Sequence, residues 1–183
     1  AAPGVSLAAG FEVEFLLLRP PPPPGSALPV PVDNLVYCAA AGVEAQADLL
    51  DQLVSTLERM GLEVEQLHKE AAGGQYELAL RYGAIEEACD GVHFAREAIS
   101  AVAAAHGLVA SFLPKYDLAQ AGNGAHVHLS LWRDGANLLE ATAFDGEGEG
   151  EGEGGAAVAF DATVEGFMAG ILAHLPALLA FCT

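Results

Sequence analysis

The segment Phe11-Glu12-Val13-Glu14-Phe15 alternates acid with apolar side chain. On a strand, that pattern turns Glu12 and Glu14 to one face and Phe11, Val13 and Phe15 to the other. Glu70 and Glu77 flank the small turn Ala71-Ala72-Gly73-Gly74, and Ala125-His126-Val127-His128 sets two imidazoles on one strand face. Glu12, Glu14, Glu70, Glu77 and His126 converging on one sheet face would make a site for a hard divalent cation, Mg²⁺ or Mn²⁺. Taken singly, each piece also has an ordinary reading as a solvated strand face or hairpin end. His126 and His128 could bind zinc as an i, i+2 pair, but no Cys or third His stands near them in sequence.

The elements that must position these groups follow from periodicity. Phe11 to Leu18 reads as a strand, and Arg19 to Pro31, with its proline run, as a surface loop. Leu49, Leu50, Leu53, Val54 and Leu57 form a helical stripe within Val43 to Met60, closed by Gly61. Leu62 to His68 and Gln75 to Arg81 read as two strands of a hairpin that brings Glu70 close to Glu77. A long helix is expected over Ala84 to Ala105, stopped by Gly107, then a strand over Leu108 to Leu113. Gly122 to Gly124 is a turn into the strand Ala125 to Trp132, and Asp134-Gly135 is a further turn. The Gly-Glu run at 146–155 is low-complexity and expected to be disordered. A final helix spans Asp161 to Phe181 with Asp161 as N-cap. Together these predict an α+β fold with mostly antiparallel pairing.

Composition narrows the function classes. The 183 residues, 52% hydrophobic, suit one sizeable globular core. Twenty-five acids against 7 Lys and Arg give a formal charge of −18, with no basic stripe for nucleic acid. Part of the excess is the repeat holding Glu147, Glu149, Glu151 and Glu153. An acidic chain that handles an anionic substrate needs divalent metal to offset the repulsion. No apolar run reaches membrane-span length, and no secretory signal is visible, so the expected compartment is the cytoplasm, a plastid or other organelle being the alternative. Cys38, Cys89 and Cys182 are odd in number and widely spaced, which fits free thiols.

The ordered series Glu-x-Glu, Glu-x6-Glu with an internal Gly-Gln, and Gly-x-Gly-x-His-x-His-x-Ser resembles the catalytic domain of glutamine synthetase, in particular the bacterial type I enzymes and their relatives. The segments Asp33-Asn34, Tyr76-Glu77-Leu78-Ala79, Ala95 to Ile99, His106 to Lys115 and His128-Leu129-Ser130-Leu131-Trp132 extend the likeness over nearly the whole chain. The resemblance implies a curved, mostly antiparallel half-barrel sheet with packed helices. It implies two divalent-metal sites and ATP as co-substrate. Glu14, Glu70 and Glu77 would hold the metal nearer glutamate, and Glu12 with His126 the metal that bridges the ATP phosphates. His128, Ser130, Glu65 and Tyr82 match nucleotide-contacting positions, and Gly122 a backbone position lining the glutamate site. The implied reaction is ATP-dependent joining of glutamate and ammonia, in a protein that forms homo-oligomeric rings.

Departures from the family pattern bound that expectation. The family carries Asn or another polar residue before the glycine that matches Gly122, where this chain has Ala121. The chain stops at Phe181-Cys182-Thr183, before the family's phosphate-binding arginines, glutamate flap and one further Glu ligand, and it lacks the N-terminal β-grasp domain. The expectation is therefore a partial catalytic domain over 1–183, with no residue assigned as catalytic. The alternatives are a ligase that joins glutamate to an amine, and a non-catalytic scaffold or degenerate relative that keeps the framework. A zinc hydrolase built on His126 and His128 is the third reading.

Overall fold

The computed structural model describes residues 4–21, 29–140, 142–143 and 158–181. Its strands are β1 (Val5–Arg19), β2 (Val30–Pro31), β3 (Val64–Lys69), β4 (Gln75–Leu80), β5 (Gly83–Ala84), β6 (Val109–Ser111), β7 (Ala125–Arg133), β8 (Ala136–Asn137), β9 (Thr142–Ala143) and β10 (Val158–Ala159). Its helices are α1 (Ala40–Ala45), α2 (Ala47–Arg59), α3 (Ile85–Ala105) and α4 (Ala162–Leu178), the last followed by a 3-10 turn at Leu179–Phe181. The chain divides into two compact units, Ala9–His128 and a second formed by Ala1–Ala8 with Leu129–Thr183. Among the described residues, the pairs β1–β2, β1–β4, β1–β6, β3–β4, β7–β8 and β9–β10 are antiparallel, which bears out the α+β expectation.

In the unit Ala9–His128, β4 pairs with β1 on one side and β3 on the other. The registers Glu14↔Glu77 and Glu77↔His68 place those three residues in one row across the strands. Period-two alternation then gives the sheet two chemically distinct faces. One face carries Val13, Phe15, Leu17, Tyr76, Leu78 and Leu80, buried against Leu49, Leu50, Leu53 and Leu57 of α2 and Ala95, Ala98, Ile99, Val102 and Ala103 of α3. Phe15 stacks on Tyr76 with ring centroids 6.0 Å apart. The other face carries Glu12, Glu14, Glu77, His68 and Glu70. It ends in a small apolar patch of Leu16, Leu18 and Ala72 with Tyr116 against it.

Several boundaries differ from the sequence expectation. The helix expected over Val43 to Met60 is two helices, broken at Gln46, where φ is −118°. Val43 of α1 still packs against the same core as Leu49, Leu50, Leu53 and Leu57. α1 also docks through Gly42, whose carbonyl accepts from Tyr76 Oη at 2.7 Å. β1 begins six residues before Phe11, at Val5, and it includes Arg19. Part of the expected loop 19–31 is ordered pairing, because Leu18 faces Pro31 and Arg19 faces Val30. The rest of that loop at 22–28, the Gly-Glu run at 146–155 and Cys182 lie outside the described residues. β3 starts at Val64 and extends through Lys69, and β6 is only Val109–Ser111.

In the second unit, β7 and β8 meet through Asp134-Gly135, where both φ values are positive, 52° and 80°. That is the tight hairpin geometry that Asp-Gly favours. Asp161 caps α4 as expected, its Oδ1 accepting from the Thr163 amide at 2.7 Å. Arg133 ties the hairpin to this helix start through Asp161 at 3.1 Å and Thr163 Oγ1 at 2.7 Å. No helix among the described residues is long and apolar enough to cross a membrane.

Candidate metal centre

The polar face of the sheet is built from the hairpin upward. Gly73 and Gly74 let the turn between β3 and β4 close tightly. A Cβ at Gly73 would lie 2.6 Å from the Asp33 carbonyl oxygen, and one at Gly74 would lie 2.6 Å from the Leu17 carbonyl oxygen. Gly74 also has φ +66°, which disfavours any side chain. The turn's amides are all engaged. Ala71 N donates to Glu70 Oε2, Ala72 N to Gln75 Oε1, Gly73 N to Gln120 Oε1 and Gly74 N to Asp33 Oδ1, each at 2.9–3.0 Å.

Gln75 is the buried organiser of this region. Its Nε2 lies 2.8 Å from Glu14 Oε2, 2.9 Å from the Gly122 carbonyl and 3.0 Å from Asn123 Oδ1. Sequence reading notes Gln75 only as part of the Gly-Gln inside the motif and gives it no role, although a Gln opening an apolar strand beside a Gly-Gly turn is a buried-polar signal. His68 was missed as well. It sits two residues before Glu70 on β3, so it shares that face by the same alternation that pairs Glu12 with Glu14. His68 Nε2 lies 3.0 Å from Glu70 Oε1 and 4.0 Å from Glu77 Oε1. The Tyr37 ring stands edge-on to it, with centroids 5.8 Å apart.

Across the sheet, Glu12 receives both histidines of β7. His126 Nδ1 lies 2.8 Å from Glu12 Oε2, and His128 Nε2 lies 2.8 Å from Glu12 Oε1. These hydrogen bonds hold the Glu12 carboxyl below its ordinary value. The bond to Glu12 raises His126. Glu77 is pushed up, first by burial and then by the negative charges of Glu12, Glu14 and Glu70, with His68 opposing. The negative charges that raise the affinity of Glu77 for a proton will also favour a cation placed beside it.

Two groups of three donors have ligand atoms within 4.8 Å of one another, Glu12–Glu77–His126 and His68–Glu70–Glu77. Each has two carboxylates and one imidazole, a set that fits Mg²⁺ or Mn²⁺. Glu77 belongs to both. Among the described residues, no such group pairs His126 with His128, so the donor set does not favour the zinc reading. Glu14 faces Glu77 across the strands but is in neither group, because Gln75 holds its carboxylate. Gly124 admits that carboxylate: a Cβ there would lie 2.5 Å from Glu14 Oε1.

The remaining expected residues fall elsewhere. Gly122 abuts the Pro114 carbonyl, with no room for a Cβ, and offers its own carbonyl to Gln75. Glu65 is the extra residue of a bulge in β3 and is exposed. Tyr82 lines a separate groove of about 220 Å³ with Phe11, Leu62, Glu63, Arg81 and Glu87. Ser130 lies in the second unit, its hydroxyl accepting from Trp132 Nε1 at 2.9 Å.

Comparison with known proteins gives this arrangement its family. The chain is 38% identical over 177 residues to the gamma-glutamylpolyamine synthetase GlnA3 of Streptomyces coelicolor, covering 97% of this chain and 35% of that protein. It is 34% identical over 163 residues to the glutamine synthetase of Mycolicibacterium smegmatis, covering 89% and 34% respectively. The chain thus spans 35% and 34% of the length of these two relatives. A solved structure of GmaS in complex with ADP superposes with a TM-score of 0.72 at 30% identity, covering 94% of this chain and 37% of that one. A Plasmodium falciparum glutamine synthetase shares the fold at 18% identity and a TM-score of 0.66. The glutamine synthetase catalytic-domain model matches residues 1–183 throughout, and the chain belongs to that family.

Proposed function

We infer that this chain supplies the divalent-metal part of an ATP-dependent ligase site that joins glutamate and ammonia into a γ-glutamyl amide, through γ-glutamyl phosphate. The observation that carries this reading is the sharing of Glu77 between two adjoining donor groups, Glu12–Glu77–His126 and His68–Glu70–Glu77. Mg²⁺ or Mn²⁺ bound there would offset the mutual repulsion of the ATP phosphates and the glutamate γ-carboxylate. Glu12 and His126 serve the nucleotide side, and Glu14, Glu70 and Glu77 the glutamate side. Gln75 holds the Glu14 carboxylate and the Gly122 carbonyl in one fixed arrangement, so the backbone that lines glutamate and the acid beside it move together. Family position assigns His128, Ser130, Glu65 and Tyr82 to the nucleotide. It also favours a cytoplasmic protein working as a homo-oligomeric ring.

One observation favours an amine in place of ammonia. Ala121 borders a groove of about 60 Å³ lined by Leu16, Ala72, Tyr116, Asp117 and Gln120. Apolar walls with one carboxylate suit an aliphatic cation. The relative named as a gamma-glutamylpolyamine synthetase has the same bearing. The test is phosphate release by the full natural protein with ATP, Mn²⁺ and glutamate, comparing ammonium with putrescine. Release with ammonium alone supports the first reading, and release with putrescine alone supports the second. Metal binding without release for either acceptor would replace both with the scaffold reading.

A further inference from the structure

Behind the Glu70 carboxylate lies a buried cation that the metal chemistry does not use. Lys69 alternates to the opposite face of β3 from His68 and Glu70, and its side chain is fully buried. A lysine is almost never fully buried without partners. Here the Nζ donates to the Glu70 carbonyl at 2.8 Å and to the Ala72 carbonyl at 2.6 Å. Asp33 Oδ1 lies 3.7 Å away, and the Tyr76 ring centroid 5.8 Å away. The stem passes over Gly42, where an added Cβ would sit 3.0 Å from Lys69 Cδ. Asp33 completes the arrangement by accepting from the Gly74 and Leu35 amides, each at 3.0 Å.

We propose that Lys69 is a positioning residue for the metal ligand Glu70: its ammonium, seated from the core side and anchored by Asp33, fixes the backbone of Glu70 to Ala72 so that the Glu70 carboxylate is presented to His68 and Glu77 before any cation arrives. The geometry supports this because both accepting carbonyls belong to the turn, one of them to the ligand itself. A purely structural ion pair would need only Asp33. The ammonium instead makes its two shortest contacts with turn carbonyls. The proposal rests on the metal reading for its purpose, but its structural content can be tested without metal.

The experiment compares the chain with Lys69→Met/Asp33→Asn. Methionine keeps the apolar stem, and the paired change avoids leaving Asp33 as an uncompensated buried charge while Asn Oδ1 still accepts from Gly74. Amide hydrogen exchange is read without metal, and Mn²⁺ affinity by calorimetry, with Asp33→Asn alone as control. The expected result is faster exchange confined to Ala71 to Gly74, unchanged protection in β1 and β4, and Mn²⁺ affinity lowered by about tenfold or more, as for loss of an outer-shell partner. Wild-type exchange at those amides overturns the proposal. So does faster exchange with unaltered Mn²⁺ affinity, which would mean that the ligand does not depend on the turn. Should the unsubstituted chain bind no Mn²⁺, the ligase reading falls, and the exchange data still decide whether Lys69 fixes the turn. If the double variant does not fold, Gly42→Ala takes its place, because its methyl displaces the lysine stem without removing the charge. Unchanged exchange at Ala71 to Gly74 in that variant overturns the proposal as well.

Discussion

The two donor groups of this face share Glu77 but are held in different ways. His68, Glu70 and Glu77 expose only 18%, 17% and 12% of their side chains, and a hydrogen-bonded turn lies directly behind them. His126 and His128 expose 62% and 69%, and the side-chain bonds that hold them end on Glu12. Partly buried groups on a closed turn keep their geometry without a ligand, because the backbone has already lost its freedom there. Exposed ion pairs are screened by salt and must hold two side chains in place for a small gain. The hairpin side is therefore the preformed half of the site, and the β7 side the half that a ligand completes.

The largest effect should come from the turn itself. Gly74→Ala sets a methyl against the Leu17 carbonyl at a positive φ, which should cost about 3 kcal/mol in urea unfolding. A cost comparable to Gly135→Ala, whose added methyl meets nothing within 4 Å, would show that the turn is not the rigid half. Next comes the ligand common to both groups. Glu77→Gln should lower Mn²⁺ affinity by about 100-fold, at or beyond the upper end of what outer-shell losses cause, with little change in unfolding. Equal losses from Glu77→Gln and Glu12→Gln would contradict the shared role.

The smallest effect belongs to the exposed side. Glu12→Gln should return His126 toward the ordinary histidine pKa in an NMR titration, since Glu12 is the main cause of its rise. A raised folded-state pKa means that the pair adds stability below the unfolded-state value and loses it as pH rises through the folded one. The metal-free chain should therefore lose less than about 1 kcal/mol from this substitution in the pH window where Glu12 is ionised and His126 protonated, and nothing once His126 is neutral. A larger loss, or one that persists at high pH, would place the β7 side among the rigid parts.

Much of this was legible in the chain because alternation is a strong signal. Glu12 with Glu14, His126 with His128, and the hairpin that joins Glu70 to Glu77 all follow from period two and a glycine turn. The same rule reaches His68 from Glu70, but a histidine in the exposed-looking run Glu65 to Lys69 draws no attention by type. Lys69 could not be read as buried, because composition marks a lysine as surface and only the docking of Gly42 against its stem reverses that. The break at Gln46 was hidden for a related reason: α1 is placed in part by one carbonyl accepting from Tyr76, a tertiary contact with no periodic trace. The role of Glu14 depends on Gln75, which is 61 residues away in sequence.

The register of β1 against β4 has a consequence for how the protein can go wrong. Glu14 is paired with Glu77 and Phe15 with Tyr76. A slip of β1 by one position would exchange its faces. It would drive Glu12 and Glu14 against Leu53 and Ile99 and leave Phe15 and Leu17 in water. A one-position misalignment could therefore not keep the oily interior while losing only the acids. Against that error, compactness in this protein is its own quality control.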